Sequence, residues 1–558
     1  MAETFILRLE EALHPGEDNA LSQEQNLKDW NDELEKSLLS GGGPQFSVID
    51  ESSANLSTLS NATNLLHATL MMAVSPNDSY ICDEGGSCSS EALVGYSNEE
   101  ANEISTKIAN EIQLVDNSNQ NLSFLYEILR AVGLYMRWYG QVLQSSFQLV
   151  ENGSTTIISP NPISRLKSKG MLLLYCKLLD DTNLQQSSNK KYPDIPRVAS
   201  VCIFRATYGN DDVTVSARKS FVHSIDGCMY LMKVLLKGDQ PVPRVFSIVR
   251  NIHHLISAAP ESIPIMHKIL ETLTANGDEE DGCSFLEKEN DNDNKKYGLL
   301  EVLVATLAWA IRSDPPFPGG QYDRRSDLAL EILRALFALD AGKPTVPLPS
   351  NDAMTEIGIM LCEILLLSNA DIRVYECKLA VVTLLLNAPE QYSGYLSSNG
   401  GIKPLVDIMA YQLSVVVVER TGSSAEDAAA VVPILLVLRK LCQSNASILQ
   451  MVKNEIFPPD LDEEFQGKVK AEMKKEQSEG QSKAKNMAPL DAPRGTVRWK
   501  LIRLMTWIDS TVKRAACEFL WTLCNEDATE FVLRTGFGNA VHFLGNKGLV
   551  PLPAGVNM

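Results

Sequence analysis

Residues 499–548 read WKLIRLMTWIDSTVKRAACEFLWTLCNEDATEFVLRTGFGNAVHFLGNKG, and the spacing of their apolar side chains decides the fold. Leu501, Leu504, Met505, Ile508, Val512, Ala515, Ala516, Phe519, Leu520 and Leu523 recur at intervals of three and four, which predicts one apolar stripe along two helices. Asp509 or Ser510 is placed to cap the second helix, and a shorter pair follows that ends at glycines. A single helical hairpin cannot bury such a stripe, so stacked neighbours are implied. A stacked helical solenoid binds other macromolecules along its groove and rarely carries bond chemistry.

Outward from this stretch the same pattern continues. Helical periodicity alternates with loops from about Asn121 to Gly548, while period-2 alternation is sparse. Asp323 and Ser326 are expected caps before Leu328, and Pro260, Pro389 and Pro458 follow helix ends. Asn152-Gly153 could turn a small local ribbon. The reading is all-α, an armadillo/HEAT-type right-handed superhelix. Its repeats are degenerate, with a spacing on the order of 40 to 60 residues against about 40 to 47 in regular armadillo and HEAT arrays. Residues 1–120 are read as an N-terminal extension, partly helical, and 121–550 as the solenoid. Mobile loops are expected near 276–296 and 460–496, where charged and polar residues crowd together.

Composition narrows the class. The chain has 558 residues, 44% of them hydrophobic, and a formal charge of −20. That field repels nucleic acid and anionic lipid overall, while leaving room for a local basic patch. The eleven cysteines are irregularly spaced, mostly in apolar helical settings, and form no CxxC pair, which predicts buried reduced thiols in a cytoplasmic protein. The N-terminus is too acidic for a secretory signal, and no apolar run approaches the roughly 20 residues of a membrane span.

Catalytic motifs fail. HExxH, GxSxG and GxxxxGK[ST] are absent, and the seven histidines form no ligand set, so neither a metal nor a cofactor is expected. Gly536-Phe-Gly-Asn-Ala-Val imitates the front of a dinucleotide fingerprint, but it follows a helix and has Val541 at the third glycine position, so it reads as a helix stop. A basic and polar set on residues 244–257 is more informative. Arg244, Arg250, Asn251, His253 and His254 interrupt an otherwise apolar helix, and Arg205 lies on the preceding repeat. Basic groups on consecutive inner helices could line a groove that accepts a carboxylate or peptide carbonyls. Arg205, Arg250, Asn251 and His254 are therefore the candidate groove residues. Lys513 and Arg514, in the first turn of a helix whose dipole disfavours them, are candidate surface contacts.

Residues 501–525 and the following Arg534-Thr-Gly-Phe-Gly-Asn-Ala resemble the last helical repeat of the synembryn family. Weaker similarity continues upstream through Ile456-Phe-Pro-Pro, Val432-Pro-Ile-Leu-Leu-Val-Leu, Thr383-Leu-Leu-Leu-Asn-Ala-Pro, Glu331-Ile-Leu-Arg-Ala-Leu-Phe and Val249-Arg-Asn-Ile-His-His-Leu-Ile-Ser-Ala-Ala-Pro. It is dense from about residue 325 onward, thinner from about 195, and absent before 120. The resemblance implies a chaperone and guanine nucleotide exchange factor for α subunits of heterotrimeric G proteins, an armadillo/HEAT superhelix whose concave groove holds the client's C-terminal helix. By that resemblance Asn251 is an inner-groove residue, and Arg205 a further one. The family pattern continues into an acidic, phosphorylatable tail, whereas this sequence ends at Met558, so 551–558 is read as a short end without it. The expected protein is a cytoplasmic monomer that reaches the cell cortex through its partner. It is not an enzyme, and it takes no nucleic acid and no integral membrane segment. The alternative reading is an armadillo scaffold for an unrelated peptide.

Overall fold

Capping and periodicity account for most of the helix boundaries in the computed structural model. It describes residues 20–40, 62–70, 119–149, 162–181, 194–237, 240–275, 297–313, 323–340, 351–369, 371–387, 389–419, 424–458 and 494–549, with a few isolated positions besides. Among the described residues there is no strand. The Asn152-Gly153 turn, both expected mobile loops apart from 494–496, and the terminal residues 551–558 lie outside the described residues.

Two units divide the chain, Met1–Thr306 with Gln321–Ala338, and Leu307–Gly320 with Leu339–Met558. In the first, helices α1 (Ala20–Ser40), α2 (Asn119–Leu149), α3 (Lys169–Asp180), α4 (Ile195–Thr207), α5 (Asp212–His223), α6 (Gly227–Leu236), α7 (Val242–Ala258) and α8 (Ser262–Ala275) follow one another. α9 (Leu299–Arg312) and α10 (Arg325–Asp340) come next along the chain. The second unit holds α11 (Asn351–Leu366), α12 (Ile372–Leu385), α13 (Pro389–Ser398), α14 (Ile402–Ser414), α15 (Ser424–Ser444), α16 (Ala446–Ile456), α17 (Val497–Leu504), α18 (Ser510–Leu523), α19 (Ala528–Thr535) and α20 (Phe537–Asn546).

Side-chain oxygens start many of these helices. Asp194 accepts from the Arg197 amide at 3.1 Å, with Pro196 in the first turn of α4. Asp211, Asp371, Asn445, Thr496 and Asp527 cap α5, α12, α16, α17 and α19 in the same manner. Asp509 is the residue that caps α18, accepting from Thr511 at 2.8 Å and Val512 at 3.1 Å. Asp323 accepts from the Arg325 amide ahead of Leu328. Gly536 ends α19 at φ 85°, a conformation that costs glycine little, so the glycine segment is a helix stop between α19 and α20.

Stacking follows from the apolar faces. α1 packs on α2, α2 on α4, and α4 on both α3 and α7, so α2, α4 and α7 form one rank of successive helices. In the second unit α15 packs on α14 and α18, and α17 on α18. The architecture is the all-α, armadillo-type stack expected from the repeat pattern. α1, read as part of a separate extension, is tied to α2 by buried Asn31, whose amide donates to the Glu127 carboxylate at 2.8 Å and to its carbonyl at 3.0 Å. Of the ten residues in the 501–523 stripe, nine are buried; Ile508 is not, at 99% exposed. The chain leaves the helix at Leu504 and turns through three successive i to i+3 bonds, which rotate residue 508 off the stripe. The eight cysteines described are free and buried, and burial holds the thiols of Cys442, Cys517 and Cys524 up at about 12, which makes them inert. Among the described residues no single helix is long and apolar enough to cross a membrane.

Candidate functional site

Each helix of the rank α2, α4, α7 carries two arginines, and Arg137, Arg205 and Arg250 are one from each. All three are half-buried. Burial first, then the neighbouring Arg250 and Arg137 guanidiniums, pushes Arg205 down to about 10, so the three charges feel one another. Among the described residues none of the three has a carboxylate within ion-pair distance.

Aromatic rings hold the guanidiniums instead. Phe204 lies under Arg205 at 5.4 Å and under Arg250 at 4.4 Å. Tyr208, 57% exposed, stacks on Phe204 with ring centroids 4.9 Å apart and meets His254 at 5.2 Å. His254 donates from Nε2 to the Thr207 carbonyl at 2.8 Å. Burial, partly offset by that bond, lowers its pKa, with Arg218, His253 and Arg250 adding to the drop. The ring is therefore neutral at physiological pH and fixed as the Nε2–H tautomer. Its neighbour His253 turns the other way, with Nδ1 2.7 Å from the Glu331 carboxylate of α10.

Asn251 occupies a different layer. It is 1% exposed, and its amide nitrogen lies 2.9 Å from both the Ser200 carbonyl and hydroxyl and 3.0 Å from the Ser247 carbonyl. It bolts α7 to α4 beneath the arginines. Arg244, read from sequence as one of the same basic set, is buried elsewhere, with Nε 3.0 Å from Asp194 and Nη1 2.8 Å from Gln240. The structure therefore gathers Arg205, Arg250 and His254 at one face, with Asn251 under it, and removes Arg244. Lys513 and Arg514 belong to α18 in the other unit, Arg514 exposed and Lys513 half-buried. Sequence reading missed Arg137, Phe204 and Tyr208. The arginines on each member of the helical rank were visible, but nothing local separates Arg137 from Arg130.

Chemically, the face presents two cations over an aromatic ring, with the His254 imidazole beside them. Among the described residues no three His, Cys, Asp or Glu side chains are grouped to hold a metal. It can bind an anion beside an apolar side chain.

Residues 487–554 match the family described as guanine nucleotide exchange factor synembryn. The Chaperone Ric-8A of Macaca fascicularis is 28% identical over 262 residues. Over these stretches the chain is similar to synembryn proteins. That alignment takes in 45% of this chain and 44% of the macaque protein, so the chain spans less than half the length of the curated proteins it matches. Ric-8A of Xenopus laevis is 51% identical over 55 residues, 10% of each protein. An engineered protein of known structure aligns over 97% of this chain and 94% of its own length at 13% identity and a TM-score of 0.45.

Proposed function

We propose that this chain is a chaperone and guanine nucleotide exchange factor for α subunits of heterotrimeric G proteins. Its client's C-terminal helix lies along α2, α4 and α7, and acts from the cytosolic side. The observation that carries this reading is the trio Arg137, Arg205 and Arg250, which among the described residues form no ion pair, with Arg205 and Arg250 over Phe204. An amphipathic helix with a free C-terminal carboxylate supplies what this face lacks, an anion for the guanidiniums and an apolar side chain for Tyr208. His254 and Asn251 position the face rather than reach across it, since their polar atoms already bind Thr207, Ser200 and Ser247.

Exchange then needs no nucleotide pocket on this chain. Preferential affinity for the detached C-terminal helix shifts the client towards its open, nucleotide-free state, GDP leaves, and GTP restores the closed form and releases the solenoid. The chain's own residues bind and orient; none makes or breaks a bond. The test is uptake of a GTP analogue by purified GDP-loaded α subunit. Faster uptake, with a complex that dissolves on adding the analogue, is expected. Absence of both effects refutes the reading, and a complex indifferent to nucleotide converts it to passive scaffolding.

A further inference from the structure

The corner between α17 and α18 has a composition found nowhere else in the described chain. Residues 494–514 hold six basic side chains and one acid, Asp509, within a protein of net charge −20. Asp509 is spent on the amides of Thr511 and Val512. Two of the bases are buried and used internally: Arg498 donates to the Arg534 carbonyl at 3.3 Å, and Lys500 to the Ser414 hydroxyl at 2.6 Å. Arg503 and Arg514 are exposed and Lys513 half-buried, and among the described residues none of these three pairs with a carboxylate. The nearest acid on α18, Glu518, is taken by Arg439 at 3.0 Å and Lys547 at 3.3 Å.

At the tip stands Ile508, 99% exposed, next to half-buried Trp507. Its exposure is built, not frayed. Leu504, Met505 and Val512 on either side are buried, and bonds from the Met505, Thr506 and Trp507 amides to Ile502, Arg503 and Leu504 fix the turn. An ordered corner thus holds an aliphatic side chain out into solvent, beside cations that, among the described residues, pair with no carboxylate; Arg503 lies over the Trp499 ring at 5.5 Å.

We propose that this corner docks on an anionic lipid surface, with Ile508 entering the headgroup region beside Trp507 while Arg503, Lys513 and Arg514 meet lipid phosphates and carboxylates. Charge complementarity favours this occupant: the chain as a whole is acidic and would be repelled, so approach needs a basic surface such as this corner. Contact is weak and reversible, because one aliphatic side chain and three cations fall short of a stable anchor. It would orient the protein at the membrane face independently of any client.

Cosedimentation of the full chain with vesicles tests it without a client present. Phosphatidylcholine vesicles containing phosphatidylserine should retain the protein and pure phosphatidylcholine vesicles should not, with binding lost as salt rises. Lys513→Glu with Arg514→Glu should weaken retention by at least about a hundredfold, since each reversal removes one attraction to the surface and adds one repulsion. Ile508→Ser should weaken it about tenfold while leaving the melting temperature unchanged, because its side chain touches no core. Equal retention by both vesicle types, or unchanged retention by both variants, overturns the proposal. So does a corner variant that binds vesicles normally but loses a purified α subunit in solution, which would assign the corner to protein contact.

Discussion

Arg205 is held where burial and two other guanidiniums disfavour its charge, and it lacks the acid that would offset them. A base lowered to about 10 from 12.5 is destabilised in its charged form throughout the neutral range, and the cost is relieved only as pH rises from about 10 towards 12.5. Arg205→Gln should therefore raise stability at pH 7, by on the order of 1 kcal/mol after allowing for partial solvation, while weakening capture of a peptide with a free C-terminal carboxylate at least tenfold. Thermal melting and fluorescence anisotropy measure the two; loss of both stability and binding would make Arg205 an ordinary structural residue. Histidine gives a pH dependence of the same sign in a lower window. His67 is brought down to about 4 by burial and then Arg165, and His254 is lowered too, so the fold keeps both neutral. Their contribution is full above the unfolded value near 6.5 and is lost as pH falls through the folded values. Melting temperature should drop between pH 7 and 4, with His67→Gln flattening most of the slope and His254→Gln a smaller part. A slope unaltered by either substitution would place the acid sensitivity in carboxylates such as Glu331, whose pairing with His253 lowers it in spite of burial.

Between helices, the recurring device is a basic side chain from one element closing the C-terminal carbonyls of another. Lys378 donates to Leu367 at 2.6 Å, Lys440 to Leu386 at 3.1 Å, and Arg218 to Thr207 at 2.9 Å and Gly209 at 3.0 Å. Arg218 is the one that bears on function, because the carbonyls it gathers frame Tyr208. Arg218→Ala should cost about 2–3 kcal/mol by denaturant unfolding, since two buried acceptors lose a charged donor, and should speed amide exchange over 208–211. A cost below about 0.5 kcal/mol would mean water replaces the guanidinium. These cross-helix bonds also explain what was legible in advance. The helices were, because apolar spacing and the caps at Asp509, Asp323 and Gly536 are local signals. The helical reading also supplied Arg205, Arg250 and His254 as neighbours. Arg244 misled because its acid, Asp194, is 50 residues away and invisible to local pattern. Ile508 misled because its spacing fits a helix that in fact stops four residues earlier. Arg137 stayed hidden because nothing in α2 marks which face meets α4.

Across the whole chain, a charge of −20 coexists with one basic face in the first unit and one basic corner in the second. Self-repulsion of the acidic majority favours partners that bring cations generally, yet these two places demand anions, which separates two binding events by chemistry. Hydrogen exchange on the intact chain can resolve them. A helical peptide ending in a free carboxylate, supplied at about 100 times its dissociation constant, stabilises the state it binds by about 2.7 kcal/mol, which is roughly a hundredfold slowing of exchange for amides that open with the bound face. Slowing should fall on Ile195–Thr207 and Val242–Ala258, with α18 unchanged. Amidating the peptide's C-terminus should remove most of the effect, because the guanidiniums of Arg137, Arg205 and Arg250 then face a neutral end and their mutual repulsion returns. If an amidated peptide protects α4 and α7 equally well, apolar contact with Phe204 and Tyr208 carries the affinity and the arginines serve only to set the approach; if protection falls on α18 instead, the client site is the corner and not the rank of helices.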